Sequence, residues 1–205
     1  MKSKIVRLTF LIFVVFVGKM NAQSFQKQQV DLNIGFGLGN TFVGSGTASM
    51  FPPISASLEY GITDAISIGG YLGYAGATWR YIGRDWCPAG NGNGNAYGNY
   101  YDYTDTYSWS FYIIGLRGAY HFEKFVKNDK VDLYAGLMLG DDIAKYKYST
   151  TDPCTNHVAY SSPSYGGFIW SGFAGCRYRF TDKVGIFGEL GYGVAYLNLG
   201  LNLKF

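Results

Sequence analysis

The sequence of 205 residues predicts an all-β protein, an eight-stranded antiparallel up-and-down transmembrane β-barrel that follows a cleavable signal peptide. Three observations predict this fold. Apolar residues alternate with small or polar residues in eight segments, charged residues make up only 15% of the chain, and aromatic residues make up 19%. Low charge with many aromatic residues excludes a disordered chain, and the 29 glycines follow no three-residue period, which excludes collagen.

Residues 1–22 have the pattern of a secretory signal peptide. Three basic residues precede a mostly apolar run at residues 8–17, and Ala22 supplies a small residue at the expected cleavage site. An apolar run of this length rises only about 15 Å as a helix, about half of a bilayer core, so it is not expected to span a membrane. The barrel domain is therefore expected to comprise residues 23–205.

The basic character of the whole chain comes from that export signal. The formal net charge is +3, from 17 Lys and Arg against 14 Asp and Glu, and four of the basic residues precede residue 23. The mature chain is therefore close to neutral. A nearly neutral chain gives no electrostatic reason to bind nucleic acid, so nucleic acid is not expected as a partner.

The alternation with a period of two predicts eight strands, an even number that suits an up-and-down barrel. They are expected at residues 30–38, 54–62, 66–74, 116–122, 133–139, 174–180, 184–192 and 197–205. One face of each segment is apolar and ends in Tyr, Trp or Phe, as aromatic girdles at the membrane interfaces require. The opposite face is mostly Gly, Ser and Asn, which carries too little charge for a soluble surface and suits a narrow lumen.

A few charged residues interrupt the second face and are predicted to form a charge network in the lumen: Glu59, Arg117, Asp132, Arg177, Arg179 and Glu189. Arg117 and Glu189 are expected at mid-height, and Glu59 and Arg177 occupy equivalent positions on strands half a barrel apart. Pairing of these charges would plug the lumen, and removal of one partner would leave a buried charge. We therefore expect no open pore, with a narrow channel as the alternative.

An internal repeat supports the barrel. Residues 58–74 recur as residues 176–192, and each copy consists of a strand, a tight Thr-Asp turn and a strand. The chain ends at Phe205, on the apolar face of the last predicted strand. With these features the sequence resembles the small eight-stranded outer-membrane β-barrels of the OmpA/OmpX kind, in the form common among Bacteroidota.

The resemblance covers residues 23–205 and implies a location in the cell outer membrane of a Gram-negative envelope. It implies outer-membrane lipid and the barrel-assembly machinery as partners, with Phe205 as part of the assembly signal. The motifs that carry the resemblance are specific for fold and location rather than for an activity.

The predicted connections alternate between short and long, as do the periplasmic turns and outer loops of such barrels. The long connections are expected at residues 39–53, 77–107 and 146–166. The second has the Tyr, Gly and Asn composition of binding loops. Alternation persists over residues 97–109, so the fourth strand is expected to extend above the membrane. The candidate partner contacts in this loop are Tyr97, Tyr100, Tyr101, Tyr103 and Tyr107.

The cysteines and histidines of the sequence suggest one disulfide and no evident catalytic site. Cys87 and Cys154 lie in two predicted outer loops, where an oxidising compartment permits a disulfide between them, and Cys176 would then be a free thiol on the lipid-facing stripe. His121 lies near a predicted periplasmic turn and His157 lies in a polar loop, and neither has an evident nucleophile beside it. Enzymatic catalysis is therefore not expected, and a lipid-modifying enzyme is the less favoured alternative.

Two acidic pairs, Asp102 with Asp105 and Asp141 with Asp142, are candidates for a cation at the outer rim, although solvation of the carboxylates is the favoured interpretation. The sequence predicts no cofactor and no resident metal. Its predicted role is structural or interactive. The chain would anchor in the membrane and present its outer loops to a protein partner, as a subunit of an outer-membrane assembly.

Overall fold

The computed structural model describes residues 25–89, 97–122, 126, 128–152, 160–161 and 165–205; the predicted signal peptide lies outside them. Eight long strands are numbered in chain order: β1 Val30–Asn40, β2 Ile54–Gly61, β3 Ile66–Ala89, β4 Tyr97–His121, β5 Val131–Thr150, β6 Tyr165–Arg179, β7 Val184–Gly191 and β8 Ala195–Lys204. Two short strands, Ala48–Ser49 and Tyr160–Ser161, pair with β3 and β5. The described residues include no helix that is long and apolar enough to cross a membrane.

The eight strands form one closed antiparallel sheet in which each strand pairs with its neighbours in the chain. β1 closes the barrel against β8, in a register that places Asp31 opposite Lys204. Two backbone hydrogen bonds between Val30 and Phe205, of 3.4 and 2.9 Å, extend this seam to the last residue. Closure leaves the barrel wall without a free strand edge, so the backbone needs no hydrogen bonds from solvent there.

Alternation along each strand decides which side chains face outward. On β1, Asp31 is buried inside the barrel, whereas Ile34 and Phe36 are 53% and 52% exposed on the outside. The exposed fraction reaches 75% at Leu116 on β4 and 62% at Leu137 on β5. A predominantly apolar exterior around a polar interior is the arrangement of a protein whose outer solvent is lipid. The chain is therefore a transmembrane β-barrel.

Aromatic residues lie at both ends of this apolar exterior. They include Tyr120, Phe122, Tyr178 and Phe180 at one end, and Tyr74, Tyr112, Trp170 and Tyr192 at the other. Amphipathic rings favour the boundary between lipid and water, so these two sets mark the membrane interfaces.

The two ends of the barrel differ in length. At the turn end, tight connections join β2 to β3 and β6 to β7. At the extended end, β3 continues to Ala89 and β4 begins at Tyr97, so most of the segment expected as a loop, residues 77–107, is paired strand. The loop expected at residues 146–166 likewise contains the end of β5 and the start of β6. The β4 part agrees with the expected extension of the fourth strand over residues 97–109. The β3 and β5 parts were expected as loops, because both of their faces lie outside the membrane and they have no lipid-facing apolar stripe.

Candidate functional site

Arg177 of β6 lies at the centre of the ion pairs inside the barrel. Its side chain is completely buried, and its guanidinium lies 2.8 Å from Glu59 of β2 and 3.0 Å from Asp132 of β5. Asp31 of β1 lies 3.8 Å from the same guanidinium, and Asn33 accepts a hydrogen bond of 3.2 Å from Arg177 Nε. An arginine presents five donors in one plane, so a single cation can hold several acceptors from different strands.

Arg117 of β4 forms the second group of ion pairs, nearer the extended end. Its Nη2 lies 2.6 Å from Glu189 Oε2, and Tyr134 donates a hydrogen bond of 3.2 Å to the same oxygen. Arg117 Nε also lies 3.1 Å from Glu59 Oε1, an ion-pair contact without hydrogen-bond alignment. Glu59 therefore joins the Arg117 group to the Arg177 group, and the buried charges form one continuous network.

Arg179 and Phe25 close the turn end of the lumen. Arg179 Nη2 lies 3.2 Å from Asp31 Oδ1, and Asn202 donates a hydrogen bond of 3.0 Å to that oxygen. The Phe25 ring is 1% exposed and stacks on His121, with ring centroids 3.6 Å apart. The segment that precedes β1 thus covers the lumen from this side.

Apolar and aromatic side chains fill the lumen toward the extended end. The buried cluster there includes Tyr71, Ile113, Met138 and Val194. Large rings pack directly on glycines of neighbouring strands. A Cβ atom on Gly175 would lie 2.4 Å from the ring of Tyr134, and one on Gly136 would lie 2.6 Å from the ring of Phe173. Glycine at these positions makes room for the rings that fill the lumen.

The structure brings all six sequence-predicted lumen charges together inside the barrel, each at most 6% exposed. Sequence reasoning missed Asp31, although the alternation of β1 already places it on the inward face. It also missed Asn202 and His121 as hydrogen-bond partners. Their contacts depend on the register between strands that are far apart in the chain, which no local pattern reveals.

Ser67, His121 and Asp132 form a hydrogen-bonded chain, which corrects the expectation that His121 has no nucleophile beside it. His121 Nε2 lies 3.0 Å from Ser67 Oγ, and His121 Nδ1 lies 2.8 Å from Asp132 Oδ1. These are the contacts of a Ser-His-Asp triad. However, Ser67 is fully buried and its hydroxyl donates to Glu59 at 3.2 Å, so a substrate has no access to it in this structure. His157 lies outside the described residues.

Beyond the barrel wall, β3, β4 and β5 continue as a three-stranded sheet, here named the projecting sheet (residues 79–89, 97–109 and 146–150). The side of this sheet that continues the lumen face of the barrel is its inner face. It carries a contiguous group of rings whose neighbouring centroids lie 4.9–6.4 Å apart: Trp79, Tyr81, Tyr103, Tyr107, Trp109, Tyr146 and Tyr148. Offset and tilted rings at these spacings attract one another and stiffen the sheet.

The five candidate tyrosines do not share one surface. Tyr101, Tyr103 and Tyr107 lie on the inner face, because they alternate with residues that point the other way. Tyr100 lies on the opposite face and is 70% exposed. Tyr97 begins β4, and its side chain lies outside the described part of the chain. Sequence reasoning missed the rings that β3 and β5 contribute, because both segments were expected to be loops.

An exposed ion pair crosses the projecting sheet on the face opposite the rings. Arg84 Nε lies 2.7 Å from Asp102 Oδ1, and the two residues are directly paired across β3 and β4. The hydrogen bond and the charge of Arg84 lower the pKa of Asp102 below its ordinary value. Arg84 therefore already pairs with the carboxylate of Asp102, one of the groups considered as a cation ligand.

Strand geometry separates the members of both candidate cation pairs. Asp102 and Asp105 point to opposite faces of β4, and Asp105 instead accepts a hydrogen bond of 2.9 Å from Tyr148. Asp141 and Asp142 are consecutive in β5 and also point to opposite faces. Within the described ranges, no group of three or more His, Cys, Asp or Glu side chains is placed to hold a metal ion.

The cysteines lie on different surfaces. Cys87 lies near the end of β3 and is disulfide-bonded. Cys176 is free and lies on β6 among the outward-facing positions. Cys154 lies outside the described residues, so its pairing with Cys87 stays a prediction.

The geometry defines a class of protein: a closed transmembrane β-barrel with a filled, charged lumen and a sheet that projects from one end. The chain is similar in fold to two small eight-stranded outer-membrane barrels. Ail, the attachment invasion locus protein of Yersinia pestis, is 12% identical, with 88% of this chain and 100% of that chain covered and a TM-score of 0.48. The N-terminal β-barrel domain of OprF from Pseudomonas aeruginosa is 15% identical, with 87% and 98% covered and a TM-score of 0.43.

No protein-family model and no curated protein sequence matches this chain. Similarities as remote as those to Ail and OprF concern the fold alone. The functional conclusions below therefore rest on the residues of this chain.

Proposed function

We propose that this protein is a non-enzymatic outer-membrane anchor that holds the projecting sheet outside the cell, where its inner face binds a protein partner. One observation carries the proposal. β3 and β4 stay paired from Tyr74 and Tyr112, at the membrane interface, to Ala89 and Tyr97. At about 3.3 Å per residue this is roughly 50 Å of strand beyond the interface. A paired sheet with rings on one face loses little conformational entropy when it binds.

A location in the outer membrane is supported by two features. The predicted signal peptide at residues 1–22 would export the chain, and the apolar exterior requires a bilayer. In this orientation the turn end faces the periplasm and the extended end faces outward.

Membrane fractionation tests the location. Density separation of the two membranes is expected to place the protein in the outer-membrane fraction, with a folded form that migrates differently on gels before and after boiling. Release of the protein into the soluble fraction by carbonate washing would contradict the proposal.

The filled lumen favours an anchor over the alternative of a narrow channel. Arg177, Glu59 and Tyr134 are each at most 1% exposed within it, so no continuous water path runs past them. Planar-bilayer recording is expected to give no stepwise conductance, with insertion verified in the same membranes by protection of the barrel from protease. Steps in the native protein whose size scales with salt concentration would favour the channel.

Site-specific crosslinking tests the binding face. A photo-crosslinking residue replaces Tyr81, on the inner face, or its neighbour Ile82, which points the opposite way and is 75% exposed. Both positions lie at the same height, so they differ only in the face that they sample. A defined protein adduct is expected at position 81 and not at position 82, and Tyr103→Ser is expected to reduce it. Equal adducts at both positions would contradict an inner binding face.

A further inference from the structure

A groove of about 690 Å³ runs along the outside of the barrel across β1 to β5. Its floor follows one cross-strand row, in which Ile34 is paired with Ala56, Ala56 with Leu72, and Leu72 with Ile114. Ala56 is much smaller than its neighbours in this row, and the depression lies over it. We name this depression the outer groove. It lies within the apolar exterior, at the depth that lipid acyl chains occupy.

The upper rim of the outer groove is an aromatic row that ends in a cation. Phe51 stacks on Tyr74 at 5.2 Å, and Tyr74 contacts Tyr112 at 4.9 Å. Lys145 Nζ lies 5.4 Å from the centre of the Tyr112 ring, and Lys145 also lines the groove. The rim therefore changes from apolar to cationic over the width of one ring, as the boundary between acyl chains and headgroups does.

Further cations lie directly above this rim on the same face. The register pairs Lys145 with Ser110, and Lys147 with Ser108. Arg80 lies one row higher, paired with Thr106. All three cationic side chains are exposed, and the described side chains between them on this face are hydroxyl-bearing residues: Thr78, Thr106, Ser108, Ser110 and Ser149.

The acidic residues of this outward face do not cancel these charges. Asp102 lies higher and is paired with Arg84. Asp141 lies four residues below Lys145 on β5, which is about 13 Å along the strand. The region around Lys145, Lys147 and Arg80 is therefore net positive and rich in hydroxyl groups that can donate to phosphate oxygens.

We propose that this face binds one anionic lipid, with an acyl chain in the outer groove and the charged headgroup on Lys145, Lys147 and Arg80. The proposal rests on the membrane location given above, because the groove meets acyl chains only in a bilayer. Apolar burial in the groove and attraction at the interface favour the same molecule, since each cation near a headgroup layer contributes separately. An anionic protein segment would satisfy the cations and leave the groove beneath them unfilled.

Native mass spectrometry of the full chain in detergent tests the proposal. Phosphatidylglycerol and phosphatidylcholine with identical acyl chains are the probes, because they differ in net headgroup charge and not in the part that would enter the groove. The native protein is expected to retain phosphatidylglycerol about tenfold more strongly. K145E/K147E is expected to abolish this preference. The matched control K27E/K183E makes the same charge change at exposed residues of the turn end and is expected to preserve it.

A groove variant separates the two halves of the site. Ala56→Phe fills the depression without a change in charge, so it is expected to weaken retention of both lipids by severalfold and to leave their ratio unchanged. If K145E/K147E fails to fold, K145Q/K147Q replaces it, with the same expected loss of preference.

Three outcomes overturn the proposal: equal retention of the two lipids by native protein, a preference that survives in the lysine variants, or an equal loss in K27E/K183E. Insertion into phosphatidylcholine vesicles is measured in parallel. If the native chain inserts but shows no lipid preference, only the proposed lipid site is contradicted. If the native chain fails to insert, the proposed membrane anchor is contradicted as well.

Discussion

Arg177 and Glu59 are 118 residues apart in the chain, and their side chains meet at 2.8 Å inside the barrel. They are equivalent positions of the internal repeat formed by residues 58–74 and 176–192. The two copies occupy β2–β3 and β6–β7, which stand half a barrel apart. Equivalent inward positions therefore face each other across the lumen, and the repeat places opposite charges at one height.

This pair is expected to be strongly coupled. Glu59→Gln and Arg177→Met should each lower the free energy of unfolding by about 3–5 kcal/mol, because each breaks a buried ion pair and leaves the buried network with one uncompensated charge. The double variant should lose clearly less than the sum of the two. Urea unfolding in lipid vesicles, followed by tryptophan fluorescence, measures all three values. Arg84→Met, which breaks an exposed pair, is the control and should leave stability unchanged; strictly additive losses in the lumen variants would refute the coupling.

Gly175 is expected to resist substitution because the Tyr134 ring occupies the space of its missing side chain. Gly175→Ala places a Cβ atom 2.4 Å from that ring, so overpacking should cost about 1–3 kcal/mol of unfolding free energy. Gly167→Ala is the matched control on the same strand, because its Cβ atom would have no neighbour within 4 Å. The same urea titration compares the two variants. Equal stabilities would show that the ring moves aside at no cost.

Asp102 should titrate below the ordinary range of an aspartate. Because its folded pKa is lowered by Arg84, its favourable interaction is present above the unfolded pKa and is lost as the pH falls through the folded pKa. Carboxyl-carbon NMR of the native protein and of Arg84→Met measures this pKa, which should rise in the variant. Both side chains are exposed, so solvent screening should leave global stability unaffected. An unchanged pKa in Arg84→Met would exclude Arg84 as the cause.

The cysteines should differ in reactivity. Alkylation in denaturing detergent without reductant should modify only Cys176, and all 3 cysteines should react after reduction. The reason is that a Cys87–Cys154 bridge protects both of its sulfurs. Mass spectrometry counts the modified thiols, and Cys87→Ser should release Cys154 for labelling. Three reactive thiols before reduction would rule out the bridge.

Local alternation was sufficient to place the lumen charges, because a period of two assigns each strand residue to one face. It could also bring Glu59 and Arg177 together, since the repeat supplied the missing long-range relation. The Asp31 contact with Arg179 has no such repeat, and it arises only when β1 closes against β8. The Ser67–His121–Asp132 chain likewise needs the register of β3, β4 and β5 at once.

The β4 part of the projecting sheet was predicted from the alternation over residues 97–109, but the β3 and β5 parts were not. A strand with both faces outside the membrane needs no apolar stripe, so the segment of β3 from Trp79 to Ala89 resembles a loop in composition. Its pairing with β4 is carried by backbone hydrogen bonds and by rings on both strands. Neither leaves a periodic hydrophobic signal along the chain.

The pairing of β1 with β8, which ends at Val30 and Phe205, is the step that closes the barrel. Every other pairing in the wall joins strands that are consecutive in the chain and can form as local hairpins, whereas the seam closes a loop of the whole domain. Before β8 pairs, β1 and β7 are open edges and Asp31 lacks its hydrogen bond from Asn202. Closure of the wall is therefore expected to follow the local hairpins, whose open strand edges can pair with other chains until the seam forms.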